Sequence, residues 1–186
     1  MRRRLRPMPA KPDLDRLYAK PHNHLEWDDH IFRVDVTSAL AHGLMPHGGT
    51  VADLSCGNAL IARRLEQSHS ARMVLGDYAP GYEHVGPIEE TIHRIDPVDL
   101  FICSETIEHL DDPDTVLKEI WQKTTHLVLS TPDGEADDSN PEHVWAWDAE
   151  AVEQMLADAG FTPLIHNSLD LRPAGFQYCY QIWACR

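Results

Sequence analysis

The sequence predicts an α/β protein: a mainly parallel sheet with helices on both faces and a C-terminal β-hairpin. Three observations predict it. Apolar strand-like runs alternate with amphipathic stretches from residue 51 onward. VDLFICSE and THLVLSTP are almost continuously apolar, as strands buried on both faces of a parallel sheet must be. Residues 161–186 read as two strands, FTPLIHNSLDL and FQYCYQIWACR, joined by a Pro-Gly turn.

The elements follow in chain order. MRRRLRPMPAKP is basic and no apolar stretch follows it, so residues 1–12 read as a flexible tail and neither a signal peptide nor an anchor. Residues 13–20 and 27–44 look helical, the second with Ile31, Val34, Leu40 and Leu44 near one face. In VADLSCGNAL an apolar run, 51–54, meets a tight Ser-Cys-Gly turn and continues as a helix over 59–67. Such a turn is expected to present bare backbone N–H groups at a helix N-terminus, ready for an anion or the polar edge of a nucleotide-like ligand. ARMVLGDYAP gives a second strand ending at Asp77, and 88–95 one or two helical turns interrupted upstream by Gly81, Gly86 and Pro87. Asp112 and Pro113 start a helix bearing Val116, Leu117, Ile120 and Trp121 on one side. A polar loop spans 132–147. Asp148 then caps a helix with Val152, Met155, Leu156 and Ala159 inward and Gly160 at its end.

Bulk properties narrow the ligand. The chain has 186 residues, one domain's worth, and a formal net charge of -14 from 30 acidic against 16 basic residues. That charge disfavours a broad phosphate-binding surface and therefore RNA, because non-specific nucleic-acid affinity comes from Lys and Arg. No run is apolar enough to span a bilayer. Cys56, Cys103, Cys179 and Cys185 include no CxxC pair, which points to reduced, packed thiols and a cytoplasmic setting. Oligomeric state is not legible.

Ligands of such sheets bind at the carboxyl ends of the central strands. Those ends carry Asp53 to Ala59, Asp77, Glu105 to His109, and Thr131 onward. Here the residues resemble a family. VADLSCGNAL, the acid Asp77 twenty residues after Gly57, FICSETIEHLDDPDTVLKEI, LVLSTPDGE and PEHVWAWDAEAVEQMLADAGF are, in order, similar to the motifs of small class I S-adenosylmethionine-dependent methyltransferases. The resemblance runs from about residue 25 to the C-terminus. It implies a Rossmann-like class I methyltransferase fold with a mainly parallel seven-stranded sheet. It also implies S-adenosyl-L-methionine as cofactor, held by Asp53, Ser55, Cys56, Gly57, Asp77, Tyr78, Ile88 and Ser104, with Asp77 on the ribose hydroxyls and Arg33 toward the methionine carboxylate. The turn departs from the family pattern: Ser55 and Ala59 stand where glycines are usual, leaving Gly57 alone, and no acid follows the third strand at the adenine. A bland reading stands beside each residue: Asp53 as a helix cap, Asp77 as a plain strand-end carboxylate, Arg33 in a surface ion pair. The same fold supports a single domain over 13–186 with 13–45 as a helical lid.

If Glu105 to His109 is a helical turn, Glu105, Glu108 and His109 share one face, and His143 joins them from the loop after the next strand. Two carboxylates held that close favour a divalent cation, and the mixed O/N set suits Mg, Mn, Fe, Co or Zn. ETIEH with a loop histidine resembles two branches of the family, ubiquinone-pathway O-methyltransferases and small-RNA 2′-O-methyltransferases, where such residues bind metal. The alternative is that Glu-His-Leu only shapes the cofactor pocket. A sulfonium methyl is already electrophilic, so the protein must align the nucleophile and remove a proton. His109 or His143, with Glu105, would do so, or a metal would acidify a bound hydroxyl; both favour O-methylation of a small-molecule acceptor. RNA 2′-O-methylation and a catalytically silent S-adenosylmethionine-binding module are the competing readings.

Overall fold

The apolar runs of the sequence become strands of one seven-stranded sheet in the order β4-β3-β2-β5-β6-β9-β8, in which β9 alone runs opposite to the rest. The computed structural model describes residues 1–134, 138 and 140–186, with the backbone alone at His24. In chain order the elements are β1 (Arg2–Arg4), α1 (Lys11–Leu17), α2 (Asp28–Leu44), β2 (Thr50–Asp53), α3 (Leu60–His69), β3 (Arg72–Asp77) and β4 (His84–Val85). They continue with α4 (Ile88–Thr91), β5 (Leu100–Ser104), α5 (Pro113–Lys123), β6 (Leu127–Pro132), β7 (Trp145–Trp147), α6 (Ala149–Ala159), β8 (Pro163–Asp170) and β9 (Cys179–Cys185).

Strand alternation sorts the two faces. On β5, Phe101 and Cys103 pack with Ile88, Ile92, Leu117, Ile120 and Leu156 under α4, α5 and α6. Leu100 and Ile102 face the other way and pack with Val34, Ala41, Ile61 and Leu65 of α2 and α3. Caps set the helix ends. The Asp112 and Asp148 carboxylates accept from Thr115 N and Ala151 N, and Gly160 ends α6 in the left-handed region, φ 109°. At Gly76 a side chain is excluded by close approach, since a Cβ would lie 2.7 Å from the His84 carbonyl of β4.

Two segments differ from the sequence reading. Residues 2–4, read as tail, form β1, and residues 145–147, read as loop, form β7; the two pair antiparallel as a separate ribbon. β1 is all arginine, and the apolar run at β7, Val144 to Trp147, is short and follows a long polar loop. The ribbon forms because Arg2 and Arg4, two apart on one face, lie over the Trp145 ring at 4.4 and 5.2 Å and pair with Asp114 and Asp111. All four cysteines are buried and none forms a disulfide. Among the described residues no helix is long and apolar enough to cross a membrane.

Strand order reverses between β2 and β5, so the crevice at their carboxyl ends is the topological switch point of the sheet.

Candidate active site

The β2 turn closes on itself and on β3. The Ser55 amide donates to Asp53 Oδ1 (3.4 Å), the Cys56 amide to the Gly76 carbonyl (3.0 Å), the Gly57 amide to Asp77 Oδ2 (2.8 Å) and the Ala59 amide to the Cys56 carbonyl (2.7 Å). Asp77 Oδ1 takes the Ala79 amide, and the Tyr82 hydroxyl donates to the Gly57 carbonyl. The expectation of bare amides is therefore corrected: the amides of Ser55, Cys56, Gly57 and Ala59 are satisfied within the protein, and a carboxylate sits where a phosphate would. The lone glycine is sufficient because only Gly57 (φ 52°) and Ala59 (φ 56°) of the turn are left-handed.

Over this turn lies a cavity of about 360 Å³. Ser55, Gly57, Asp77, Tyr78 and Ile88 line it. Asp53, Cys56, Ser104 and Arg33 instead surround a void of about 10 Å³ beneath, with Ser55 common to both. Burial, with Asp77 nearby, pushes the Asp53 carboxyl up to about 7. Arg33 is a core residue, 1% exposed. It donates to Ser104 Oγ, and its Nε lies 3.9 Å from Glu105 Oε1.

Residues of the N-terminal arm also line the cavity: Met8, Lys11, Leu14, Tyr18 and His22. Sequence reasoning missed them, although Lys11, Leu14 and Tyr18 recur at helical spacing along one face of α1. The Tyr78 hydroxyl donates to Asp15 (2.7 Å), which ties α1 to the end of β3.

The Glu/His group departs from a single helical face. Glu105 is left-handed, φ 52°, and only Ile107–His109 form a 3₁₀ turn, so Glu105 does not share a face with Glu108 and His109. Its Oε1 accepts from Ser130 Oγ (2.9 Å) beside Arg33. Glu108, His109 and His143 do converge, with one ligand atom from each within 4.8 Å of the others. Glu108 Oε2 accepts from Thr131 Oγ1 (3.0 Å), whereas its buried Oε1 has no partner. Burial and the nearby Glu105 push this carboxyl up to about 8.

The two histidines differ sharply. His109 Nδ1 donates to the Glu142 carbonyl (3.1 Å), which leaves the Nε2 lone pair 3.8 Å from Glu108 Oε1. Burial and His143 push its pKa down to about 3. His143 is also buried, which opposes its charge, but its Nδ1–H bond to Asp138 Oδ2 and the nearby Glu108 raise its pKa. The Asn140 amide donates to His143 Nε2 (3.1 Å). Asp138 was not anticipated; it lies in a polar stretch with no motif around it.

A second cavity, about 560 Å³, opens beside the first and is lined by Trp27, Asp29, His30, Asn140, His143 and Tyr178 among others. His22, Glu105 and His109 line both cavities and so stand at their junction.

No family model and no curated protein sequence matches the chain. Solved structures do match. A 1,6-didemethyltoxoflavin-N1-methyltransferase from Burkholderia thailandensis superposes at TM-score 0.67 with 14% identity, covering 97% of this chain and 92% of that one. The cyclopropane synthase MmaA2 from Mycobacterium tuberculosis gives 0.62 with 16% identity, covering 94% of each chain. A SAM dependent methyltransferase from Aquifex aeolicus gives 0.57 with 16% identity, covering 95% of this chain and 99% of that one. The chain has the Rossmann-like class I methyltransferase fold. Within this class I methyltransferase fold, these two adjoining cavities lie at the carboxyl ends of β2, β3, β5 and β6, beside the switch point.

Proposed function

We propose that this chain is an S-adenosylmethionine-dependent methyltransferase that O-methylates a small-molecule acceptor. The observation that carries the reading is the pair of adjoining cavities: one over Gly57 and Asp77, sized for a nucleoside, and one beside it containing His143, with His109 and Glu105 between them. The residues fit such a cofactor. Asp77 keeps free lone pairs for two ribose hydroxyls, Ile88 offers an apolar contact for a base, and the closed turn with two acids beneath disfavours a pyrophosphate. Arg33, engaged with Ser104 and Glu105, does not reach the cavity over Gly57, so Lys11 is the nearer cation for the methionine carboxylate, with His22 a further polar group on that wall.

The bound cofactor supplies an electrophilic sulfonium methyl. His143 Nε2 takes the acceptor proton once the acceptor hydroxyl replaces the Asn140 amide at its lone pair, because Asp138 fixes its tautomer and stabilises the resulting cation. His109, held neutral, orients the acceptor and remains uncharged beside it. Glu105, fixed by Ser130 and Arg33, forms the wall between cofactor and acceptor. The arm bearing Tyr18 and His22 closes the site against water, within a lid that the sequence reading draws over 13–45 in a domain of 13–186.

Glu108, His109 and His143 also fit a divalent ion, Mg, Mn, Fe, Co or Zn, since Glu108 Oε1 is buried without a hydrogen-bond partner 3.8 Å from His109 Nε2; the ion would replace the Glu108 carboxyl proton and the Asn140 amide on His143 Nε2. Such an ion would acidify an acceptor hydroxyl. Glu105 is not part of this set. RNA as acceptor is the second reading, supported by the ETIEH segment and opposed by the charge of -14. Four buried cysteines with no disulfide among them support a cytoplasmic location. Calorimetric titration with S-adenosylmethionine, followed by methyl-transfer assays on a catechol and on short RNA with and without chelator, tests these readings together.

A further inference from the structure

The basic segment MRRRLRP is left unused by the chemistry above and lines neither of the two cavities, yet it is bonded to residues that stand behind the acceptor cavity. β1 pairs with β7, the Leu5 amide donates to the Val144 carbonyl (2.8 Å), and the Val144 amide donates to the Glu108 carbonyl (2.7 Å). Val144, just before β7, is thus held on one side by the segment bearing Glu108 and on the other by the N-terminal strand. Exposed ion pairs such as Arg2 with Asp114 contribute little, so the ladder and the guanidinium–indole contacts with Trp145 hold the strand.

We infer that Arg6 is a positioning residue for the Asp138–His143 dyad, and that the basic N-terminal strand is the strap that delivers it. This rests on reading His143 as the base. Arg6 Nη2 donates to the Asp138 backbone carbonyl at 2.8 Å. A guanidinium bond fixes the backbone of Asp138 more firmly than a neutral donor would. The Asp138 carboxylate, so placed, collects the His143 Nδ1–H, the Tyr178 hydroxyl (3.3 Å) and the Asn140 amide (2.8 Å). Arg6 touches neither larger cavity, so it acts only through Asp138.

The test compares the full chain with Arg6→Ala, Arg6→Lys and Arg2→Ala/Arg4→Ala. It uses amide hydrogen exchange over residues 140–148, the downfield proton resonance of His143 Nδ1–H (assigned by its loss in His143→Gln), and S-adenosylhomocysteine affinity. Arg6→Ala is expected to speed exchange about tenfold and to abolish the Nδ1–H resonance, while leaving ligand affinity within about twofold. Arg6→Lys restores the resonance, and the double variant loosens the strap as Arg6→Ala does. An Arg6→Ala protein with unchanged exchange and an intact resonance overturns the inference. So does an equal loss of resonance, ligand binding and folding, which marks a general structural role. A wild-type chain that binds no S-adenosylhomocysteine but shows the resonance overturns the methyltransferase reading alone.

Discussion

Asp77 at the end of β3 accepts the amide of Gly57 at 2.8 Å, so the acid that closes the β2 turn is also the acid that faces the nucleoside cavity. One carboxylate holds the turn with one set of lone pairs and offers the other to a ligand. Substitution should therefore have two separable effects. Asp77→Ala is expected to weaken S-adenosylhomocysteine binding at least about tenfold. It should also lower stability by about 1–3 kcal/mol, because the Gly57 and Ala79 amides lose their acceptor. Asp77→Asn, which keeps one acceptor oxygen, should lose affinity with a smaller loss of stability. Calorimetry paired with urea unfolding separates the two effects.

Asp53 gives a pH prediction with a definite sign. Its folded pKa, about 7, lies above the ordinary 3.8, so the native state holds the proton more tightly than the unfolded chain. Its contribution to stability is full below about pH 4 and is lost as pH rises through about 7. Asp53→Asn, which keeps an acceptor for the Ser55 amide, should flatten the decline and raise stability at pH 8 by on the order of 2–4 kcal/mol. Urea midpoints from pH 4 to pH 8 for both proteins check it; parallel curves would contradict it.

The metal prediction discriminates between two acids three residues apart in sequence, Glu105 and Glu108. Glu108→Gln and His143→Ala should each reduce bound zinc or manganese, measured by elemental analysis, whereas Glu105→Gln should leave it nearly unchanged. Because burial keeps Glu108 protonated to about 8, metal binding at pH 7 should release a proton, visible as a buffer-dependent heat in calorimetry.

Deleting residues 1–18 removes β1 and α1. None of the described side chains of α1 is buried, yet Lys11, Leu14 and Tyr18 wall the nucleoside cavity. The truncated chain is expected to lose about tenfold in S-adenosylhomocysteine affinity while Tm falls only a few degrees. Calorimetry and thermal melts on the same sample check it. A deletion reaching residue 35 would take Arg33 and Val34 from the core and is not equivalent.

The fold was legible where local chemistry and burial agree. VDLFICSE and THLVLSTP can only be buried strands, and Asp112-Pro113 and Asp148 announce their helices. The ribbon of β1 and β7 was not legible, because it depends on arginines meeting a tryptophan about 140 residues away, a contact with no local periodicity. In the site, the place of Asp77 at the end of β3 follows from spacing, and Glu108, His109 and His143 converge although the helical face expected to join Glu108 and His109 to Glu105 does not form. Glu105 does not join them. Its left-handed backbone is imposed by packing against Ser130 and Arg33, and nothing in the order Glu-Thr-Ile-Glu-His signals it. Arg33 likewise reads as a cation for the methionine carboxylate or in a surface ion pair, and its burial against Ser104 and Glu105 shows only once the sheet ends are in place.

The central claim is that the cavity over Gly57 and Asp77 is an S-adenosylmethionine site. Isothermal titration of the purified full chain with S-adenosylhomocysteine, and separately with NAD, tests it most directly. The account predicts saturable binding of S-adenosylhomocysteine at one site, lost in Asp77→Ala, and no measurable heat from NAD. Binding of NAD in preference to S-adenosylhomocysteine, or identical S-adenosylhomocysteine isotherms for the wild type and Asp77→Ala, would contradict it.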